Sequence, residues 1–334
     1  MMAEDRPTRR YPQNLQGVLQ LAVDVGSAPE GPDSFQPMSE ERKIWLRDAL
    51  ADVCKGQMDE VEQIKRCLAV LRREEMSEKE GEDERDEEDE DERVTAFEIL
   101  SELCENLDNA RDLMTLGGLE LCISQYLCHA QSGLRWRAAQ LIAFCAQNMP
   151  QVQVYLFSTG VLPKLLQLTD SDPDSTVRVK ALYAVSCLIR EQEEGLQAFL
   201  SHDGVSVLMR VMQSDIEKLR TKSAFLLLNL LTSHPKQKDT AVSMGMVQQL
   251  VSVLRTPHLP FHEHVLGALC CLVEDCPQGL KDCRNPSLGL KELLRQRTTE
   301  LQGKEESQEE LAFCEQLKVI CFPGQQSDDS GMDR

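Results

Sequence analysis

The sequence predicts an all-α protein built as a solenoid of similar helical units. An apolar helix with a basic start recurs four times, as RWRAAQLIAFCAQN, RVKALYAVSCLIRE, RTKSAFLLLNLLTS and HEHVLGALCCLVED. A glycine that opens a shorter apolar helix precedes each copy, and turn-forming segments such as TDSDPDST and RTPHLPF lie between the helices. The apolar residues recur at helical spacing, and no strand-like alternation of apolar and polar residues competes with this pattern.

The period of the repeat indicates the type of solenoid. Equivalent residues of the long helices are 43, 42 and 42 residues apart: Arg137, Lys180, Lys222 and His264. The preceding glycines follow a similar period: Gly118, Gly160, Gly204, Gly245 and a partial fifth copy at Gly289. Helical repeats of about 40–47 residues are typical of armadillo and HEAT proteins. We therefore expect a right-handed armadillo/HEAT-like helical solenoid with helical caps, and a left-handed turn at each glycine.

The boundaries follow from the extent of this pattern. Four armadillo repeats with a period of 42–44 are expected in residues 94–286. Helical patterns on either side predict an N-terminal helical cap at residues 39–73 and C-terminal capping helices at residues 287–322. The polar ends, residues 1–38 and 323–334, are expected to be flexible.

Charge is distributed unevenly along the chain. The net charge is −20, and residues 74–93 alone hold fourteen acids against three bases. We expect this segment to be a disordered acidic linker. Because phosphate backbones and anionic lipids would repel so acidic a protein, neither nucleic acid nor a membrane is an expected partner.

Cysteine use indicates a reducing compartment. The thirteen cysteines lie mostly at apolar helical positions and form no C-x-x-C motif. Such thiols are typically buried and reduced. The longest apolar runs are too short to cross a bilayer. A cytosolic, monomeric protein is expected.

Catalytic signatures are absent from the sequence: it has no phosphate-binding loop, hydrolase elbow or zinc-protease motif. The residues nearest to a metal-ligand set are His258, His262 and His264. Two histidines two residues apart on a helix point about 200° away from each other. We therefore expect no enzymatic activity, no cofactor and no metal.

The third helix of an armadillo repeat lines the concave groove, so its outward residues are the candidate binding residues. With Gln140 as the centre of this face, the equivalent positions predict a groove that is acidic at its N-terminal end and basic and aromatic in the middle. The candidate residues are Glu98, Glu102, Glu105, Trp136, Arg137, Gln140, Lys180, Tyr183, Arg190, Lys222, Phe225, Asn229 and Glu263.

Several of these segments resemble a known family. NLQGVLQLAVDVGS, PMSEERKIWL, GLRWRAAQLIAFCAQN, TVRVKALYAVSCLIREQEEGL and PFHEHVLGALC are similar to the cytosolic armadillo-type nucleotide exchange factors of the 70-kDa heat-shock chaperone, over about residues 10–322. The resemblance implies that the concave face embraces one lobe of the chaperone's ATPase domain and releases ADP. It also implies that the N-terminal segment, with Leu15, Val18, Leu19 and Leu21, occupies the chaperone's substrate groove.

An armadillo scaffold or peptide carrier is the alternative function. A carrier of this kind grips an extended basic peptide with a ladder of Trp and Asn on successive third helices. The corresponding pairs in this chain are Gln140/Phe144, Tyr183/Cys187, Phe225/Asn229 and Gly267/Cys271. Only one pair keeps Asn and none keeps Trp, which favours the exchange factor.

Overall fold

The computed structural model describes residues 60–73 and 83–323, with side chains omitted for 83–87. Every regular element in these two ranges is helical, which confirms the all-α prediction. The chain divides into two units, residues 1–66 and 67–334. Of the first unit only the opening turns of α1 are described. The second unit contains the solenoid.

The described residues form seventeen α-helices, with short 3₁₀ turns between some of them. Their bounds are α1 Glu60–Leu71, α2 Asp83–Leu103, α3 Leu107–Thr115, α4 Gly118–Ser124, α5 Ser132–Ala146, α6 Pro150–Ser158, α7 Val161–Ser171, α8 Ser175–Ile189, α9 Glu193–Ser201, α10 Gly204–Val211, α11 Glu217–Ser233, α12 Lys238–Ser243, α13 Met246–Leu254, α14 His262–Val273, α15 Pro277–Cys283, α16 Leu290–Leu301 and α17 Gln308–Cys321.

These helices repeat in threes. The triplets are α3–α4–α5, α6–α7–α8, α9–α10–α11 and α12–α13–α14, and the third helices α2, α5, α8, α11, α14 and α17 each pack against the next. The helices α15, α16 and α17 follow the same order, so the segment interpreted as C-terminal caps contains most of a fifth triplet. We call the outward side of the six stacked helices the third-helix face.

The acidic run is more ordered than expected. Because α2 begins at Asp83, residues 83–93 are helical and the prediction of a disordered linker is wrong for them. Arg93 explains part of the difference, since its Nη2 lies 2.9 Å from Asp89 Oδ2 one turn earlier, a pairing that supports a helix. Residues 74–82, like residues 39–59 of the predicted N-terminal cap, lie outside the described residues.

A left-handed residue separates the first two helices of each triplet. Positive φ values occur 43, 43, 42 and 44 residues apart, at Gly117, Gly160, Asp203, Gly245 and Gly289. The prediction of such a turn is therefore wrong by one residue at Gly118 and Gly204. These two glycines begin their helices, where an added Cβ would lie 2.3 Å from Leu113 and from Phe199. Close helix packing is the reason for glycine there.

A basic side chain on each of the third helices α2, α5, α8 and α11 donates to the backbone of an earlier segment. Arg93 Nη2 donates to Arg73 O at 3.1 Å, Arg135 Nη1 to Ala130 O at 2.7 Å, Arg178 Nε to Thr169 O at 3.0 Å and Arg220 Nη1 to Ser214 O at 2.9 Å. The fourth repeat has a histidine, with His262 Nε2 3.3 Å from Thr256 Oγ1. A bond of this kind to an earlier segment is therefore present from α2 to α14.

The interior of the solenoid is aliphatic, with Leu, Val, Ile and Ala supplying most of the core. Ten of the twelve cysteines in the described ranges are buried, which confirms the expectation of thiols used as small apolar residues. Within the described residues, no helix is both long and apolar enough to cross a membrane.

Candidate functional site

In the N-terminal part of the third-helix face, an ion pair and two cation–π contacts connect three helices. Arg137 Nη2 of α5 lies 2.9 Å from Glu98 Oε1 of α2. The Arg137 guanidinium lies 4.1 Å from the centre of the Trp136 ring, and Lys180 Nζ of α8 lies 5.7 Å from it. Glu102 and Glu105 are exposed on the acidic side of this cluster. The predicted residues of this part therefore lie together.

The centre of the face alternates cations with aromatic rings. The Tyr183 hydroxyl donates to Gln147 Oε1 at 2.9 Å, and Lys222 Nζ lies 5.6 Å from the Tyr183 ring. Burial, reinforced by the neighbouring Cys187, raises the pKa of Tyr183 to about 12. Burial also lowers the pKa of Lys180, with Lys222 adding to the effect. Cation–π contacts at such spacing are weakly attractive and hold the side chains in place.

The C-terminal part carries an exposed aromatic ring. Phe225 of α11 is 46% exposed, and its ring centre lies 5.3 Å from that of His264 on α14. A groove of about 580 Å³ runs from Phe225 past Asn229 to Arg190 at the end of α8. A partly exposed ring beside a groove lined by polar groups is typical of an anchor point for another protein.

The far end of the face is acidic. Burial raises the pKa of Glu263, and the neighbouring Glu309 of α17 adds to the shift. Gln316 of α17 also donates from Nε2 to Oε1 of Glu274, the residue that follows α14, at 2.8 Å. The face is therefore acidic at α2, basic at α5, α8 and α11, and acidic again at α14 and α17.

Sequence reasoning missed two contributors to this face. His264 was recognised as equivalent to Arg137, but it was not included among the binding residues. Glu309 was missed because α17 was interpreted as a cap, and its segment lacks the basic start of the other third helices. The remaining candidate, Gln140, is half-buried on α5. Leu15, Val18, Leu19 and Leu21 lie outside the described residues.

The face has neither the chemistry of an active site nor that of a peptide ladder. In the described ranges, no group of three or more His, Cys, Asp or Glu side chains is placed to hold a metal ion, and His262 is fully buried. Of the residues at the rungs of a peptide carrier, Cys187 is buried, and Gly267 lies beneath Leu228 and Phe313, with both 3.2 Å from an added Cβ. The three cations at the centre would repel a basic peptide.

Comparison with known proteins agrees with this architecture. A designed armadillo repeat protein superposes with a TM-score of 0.60 at 16% identity, covering 79% of this chain and 100% of the designed one. This likeness shows the armadillo-like fold. Residues 15–113 match the family described as "Nucleotide exchange factor Fes1", and residues 109–220 match the "SIL1/FES1/HPBP1 C-terminal domain".

Curated relatives identify the family. "Hsp70-binding protein 1" of Homo sapiens is 55% identical over 325 residues, which are 97% of this chain and 89% of the relative. "Hsp70 nucleotide exchange factor FES1" of Coccidioides immitis is 28% identical, over 62% of this chain and 93% of the relative. The identity to the human protein spans the described solenoid and the segments outside it. The chain therefore belongs to the Hsp70-binding protein 1 branch of the SIL1/FES1/HPBP1 family of nucleotide exchange factors.

Proposed function

We propose that this chain is a co-chaperone that binds the ATPase domain of Hsp70 through its third-helix face and promotes the release of ADP. The family supports the activity, and the arrangement of the face supports its location. The observation that carries the proposal is the continuous row of six helices on which charged and aromatic groups of adjacent repeats contact one another. Such a rigid mixed surface suits a folded partner.

The mechanism is differential binding. An exchange factor accelerates ADP release only if it binds the opened, nucleotide-free chaperone more tightly than the closed one. A tenfold shift in that equilibrium needs about 1.4 kcal/mol of differential binding. Linkage then requires ADP to weaken the binding of this chain to Hsp70 by the same factor. The face itself supplies no catalytic group, and its role is to favour the open state.

Two further parts of the proposal concern the rest of the chain. The apolar N-terminal segment with Leu15, Val18, Leu19 and Leu21 occupies the substrate groove of Hsp70 and prevents rebinding of released substrate. The protein acts as a cytosolic monomer. Deleting residues 1–38 should leave ADP release intact and slow substrate release, which separates the segment from the face.

The deciding experiment follows a fluorescent ADP analogue bound to purified Hsp70. Adding this chain with excess unlabelled nucleotide should increase the dissociation rate in proportion to the complex formed. Calorimetry should show at least tenfold tighter binding to nucleotide-free Hsp70 than to the ADP-bound form. An unchanged dissociation rate, together with equal affinities, would refute the proposal.

A further inference from the structure

A polar cavity opens between the third and fourth repeats, near the N-terminal ends of the third helices α11 and α14. It measures about 490 Å³, a volume typical of ligand sites. Its polar wall consists of Gln213 and Ser214 before α11, Arg220 in the first turn of α11, Ser252 in α13 and Thr256 after α13. Of the described residues that line the cavity, Arg220 alone is charged. The cavity therefore favours an anionic group.

Arg220 differs from its counterparts in the preceding repeats. It occupies the position of Arg135 in α5 and Arg178 in α8, at intervals of 43 and 42 residues. Nε of Arg135 donates to Asp172 Oδ2 at 2.8 Å, and Nε of Arg178 donates to Thr169 O at 3.0 Å. Nε of Arg220 is buried and has no hydrogen-bond partner among the described residues. Because a buried donor without an acceptor is unfavourable, this guanidinium gains stability from a ligand that supplies one.

The carboxylate that pairs with Arg135 has no counterpart at Arg220. Asp172 lies 37 residues after Arg135, and Pro257 lies 37 residues after Arg220. The segment around Pro257, RTPHLPF, contains no acid. In the part of the chain that the structure describes, no carboxylate lies within ion-pair distance of Arg220. Since Pro257 and Arg220 line the same cavity, open space stands beside Arg220 where the earlier repeat has an acid.

The guanidinium of Arg220 is accessible from the cavity. The side chain is half-buried, and its Nη1 donates to Ser214 O at 2.9 Å. The ring of Phe261 lies beneath it, with its centre 5.6 Å from the guanidinium carbon. Nη2 has no hydrogen-bond partner among the described residues and, unlike Nε, is not buried. The edge formed by Nη2 and Nε is the one with which Arg135 holds Asp172.

We propose that this cavity binds an aspartate side chain from an acidic loop of another protein, with Arg220 as the anchor. Nη2 donates to one carboxylate oxygen, and a small turn of the guanidinium brings Nε to the other, which gives the two-bond geometry that arginine and carboxylate prefer. The segment TDSDPDST around Asp172 shows the kind of loop that fits, because Asp174 N donates to Asp172 Oδ1 at 2.9 Å and the turn presents the carboxylate outward.

The cavity is separate from the third-helix face. Arg220 and Lys222 are two positions apart on α11, so their side chains point about 200° away from each other. The cavity also shares no lining residue with the groove beside Phe225. A partner bound here leaves that groove free, and the proposal does not depend on Hsp70 binding.

The probe is a peptide with the sequence of residues 169–176 in which the aspartates at positions 170 and 174 are replaced by asparagine. It carries an uncharged fluorophore at its N-terminus and an amide at its C-terminus, so the central aspartate is its one carboxylate. Fluorescence anisotropy with the full chain should show saturable binding. A peptide with asparagine at the centre as well should bind at least about tenfold more weakly, since a charge-assisted two-bond contact is lost.

A third peptide distinguishes a side-chain carboxylate from a chain terminus. It has asparagine at all three positions and a free C-terminal carboxylate, and it should bind no better than its amidated form. The measurements are made without Hsp70, so a failure of the exchange activity would not affect them.

Two variants test the site without altering Arg220. Pro257→Asp supplies an internal carboxylate and should weaken binding of the aspartate peptide at least about tenfold. Pro257→Asn removes the same proline ring and should keep the parental affinity. Circular dichroism checks that both variants are folded. Equal binding of the aspartate and asparagine peptides, a preference for the free C-terminus, or equal losses in the two variants would overturn the proposal.

Discussion

Arg135 and Asp172 form a two-bond ion pair between adjacent repeats, with Nε 2.8 Å from Oδ2 and Nη2 3.0 Å from Oδ1. Their side chains are only 11% and 4% exposed. Arg135 also donates to His129 O and Ala130 O, so one guanidinium joins a loop within its own repeat to the loop that precedes the third helix of the next repeat. Geometry of this kind makes a paired charge expensive to remove.

Replacing Asp172 tests how much this ion pair contributes to the stability of the fold. Asp172→Ala leaves a nearly buried guanidinium without its carboxylate and should lower the free energy of unfolding by about 3–5 kcal/mol. Urea denaturation measures the change. The control is Asp170→Ala, which breaks the exposed pair with Arg210 and should cost at most about 1 kcal/mol. Equal losses of unfolding free energy in the two variants would show that burial does not determine how much an ion pair contributes to stability.

His262 makes the fourth repeat sensitive to acid. Burial, with the positive groups Arg297, His258 and Arg220, lowers the pKa of His262 to about 3. The unfolded chain, with an ordinary histidine pKa near 6.5, binds a proton first as the pH falls. Stability is therefore complete above about pH 6.5 and is lost between there and about pH 3, by at most about 1.4 kcal/mol per pH unit.

The variant His262→Gln should flatten this part of the pH dependence, because glutamine does not titrate. Urea denaturation at several pH values between 7 and 4 gives the slope, which is compared between variant and parent whatever their absolute stabilities. His202→Gln, at an exposed position, should keep the parental slope. If His262→Gln keeps it as well, His262 does not supply the acid sensitivity.

Gly160 isolates the cost of the left-handed turn. Its φ is +69°, and an added Cβ would have no heavy atom within 4 Å. Gly160→Ala should therefore destabilise the protein by about 1–2 kcal/mol through backbone strain alone. Gly133→Ala is the comparison, since an added Cβ there has contacts only at 3.8 Å or more. Thermal unfolding should show a clear loss for the first variant and little change for the second.

Phe225 should be an anchor for the chaperone. Removing a partly exposed ring at the edge of a groove typically costs binding more than stability. Phe225→Ala should weaken Hsp70 binding about tenfold or more, measured by calorimetry, with nearly unchanged melting temperature. Val154→Ala is the control, because Val154 is 51% exposed but lies on α6. Full affinity in Phe225→Ala would place the contact elsewhere.

Charge reversal at Lys222 probes the basic centre. Lys222 is exposed on α11 above Tyr183, so Lys222→Glu should weaken binding to Hsp70 and reduce its dependence on salt. The matched control, Lys291→Glu, places the same change in the first turn of α16, where an acid suits the helix dipole. Reversal at Arg137 or Lys180 is expected to act similarly, but Arg137 also loses its bond to Glu98. Unfolding of Lys222→Glu would show a structural role instead.

The repeat was readable from the sequence because each unit uses the same local physics. An amphipathic third helix and a glycine before the second helix recur with one period, and both are properties of a few neighbouring residues. The turn lies at Asp203 and not at Gly204, and the glycine at 204 instead makes room for the ring of Phe199, a contact that helical periodicity does not show. The fifth copy was recognised only from its glycine, Gly289, because α17 lacks the basic landmark.

The binding face was predicted in outline but its internal pairing was not. Equivalent positions placed Glu98, Arg137 and Lys180 on one side, because helical phase alone determines that. Their contacts cross repeats about 40 residues apart, so helical phase alone does not predict that the Trp136 ring has two cations near it. His262 was considered as a metal ligand, and its burial followed from packing that only the structure reveals.

The regular stacking of the third helices fixes the distances between charged groups along the third-helix face. Neighbouring helices pack with their axes about 10 Å apart, so the five steps from α2 to α17 separate the two acidic ends by about 50 Å along the stack. Complementary groups on a partner would have to occur in the same order and at the same separation. An extra repeat inserted between α8 and α11 would leave the charges on each helix unchanged. It would nevertheless move the charges of α11, α14 and α17 away from their complementary groups on the partner.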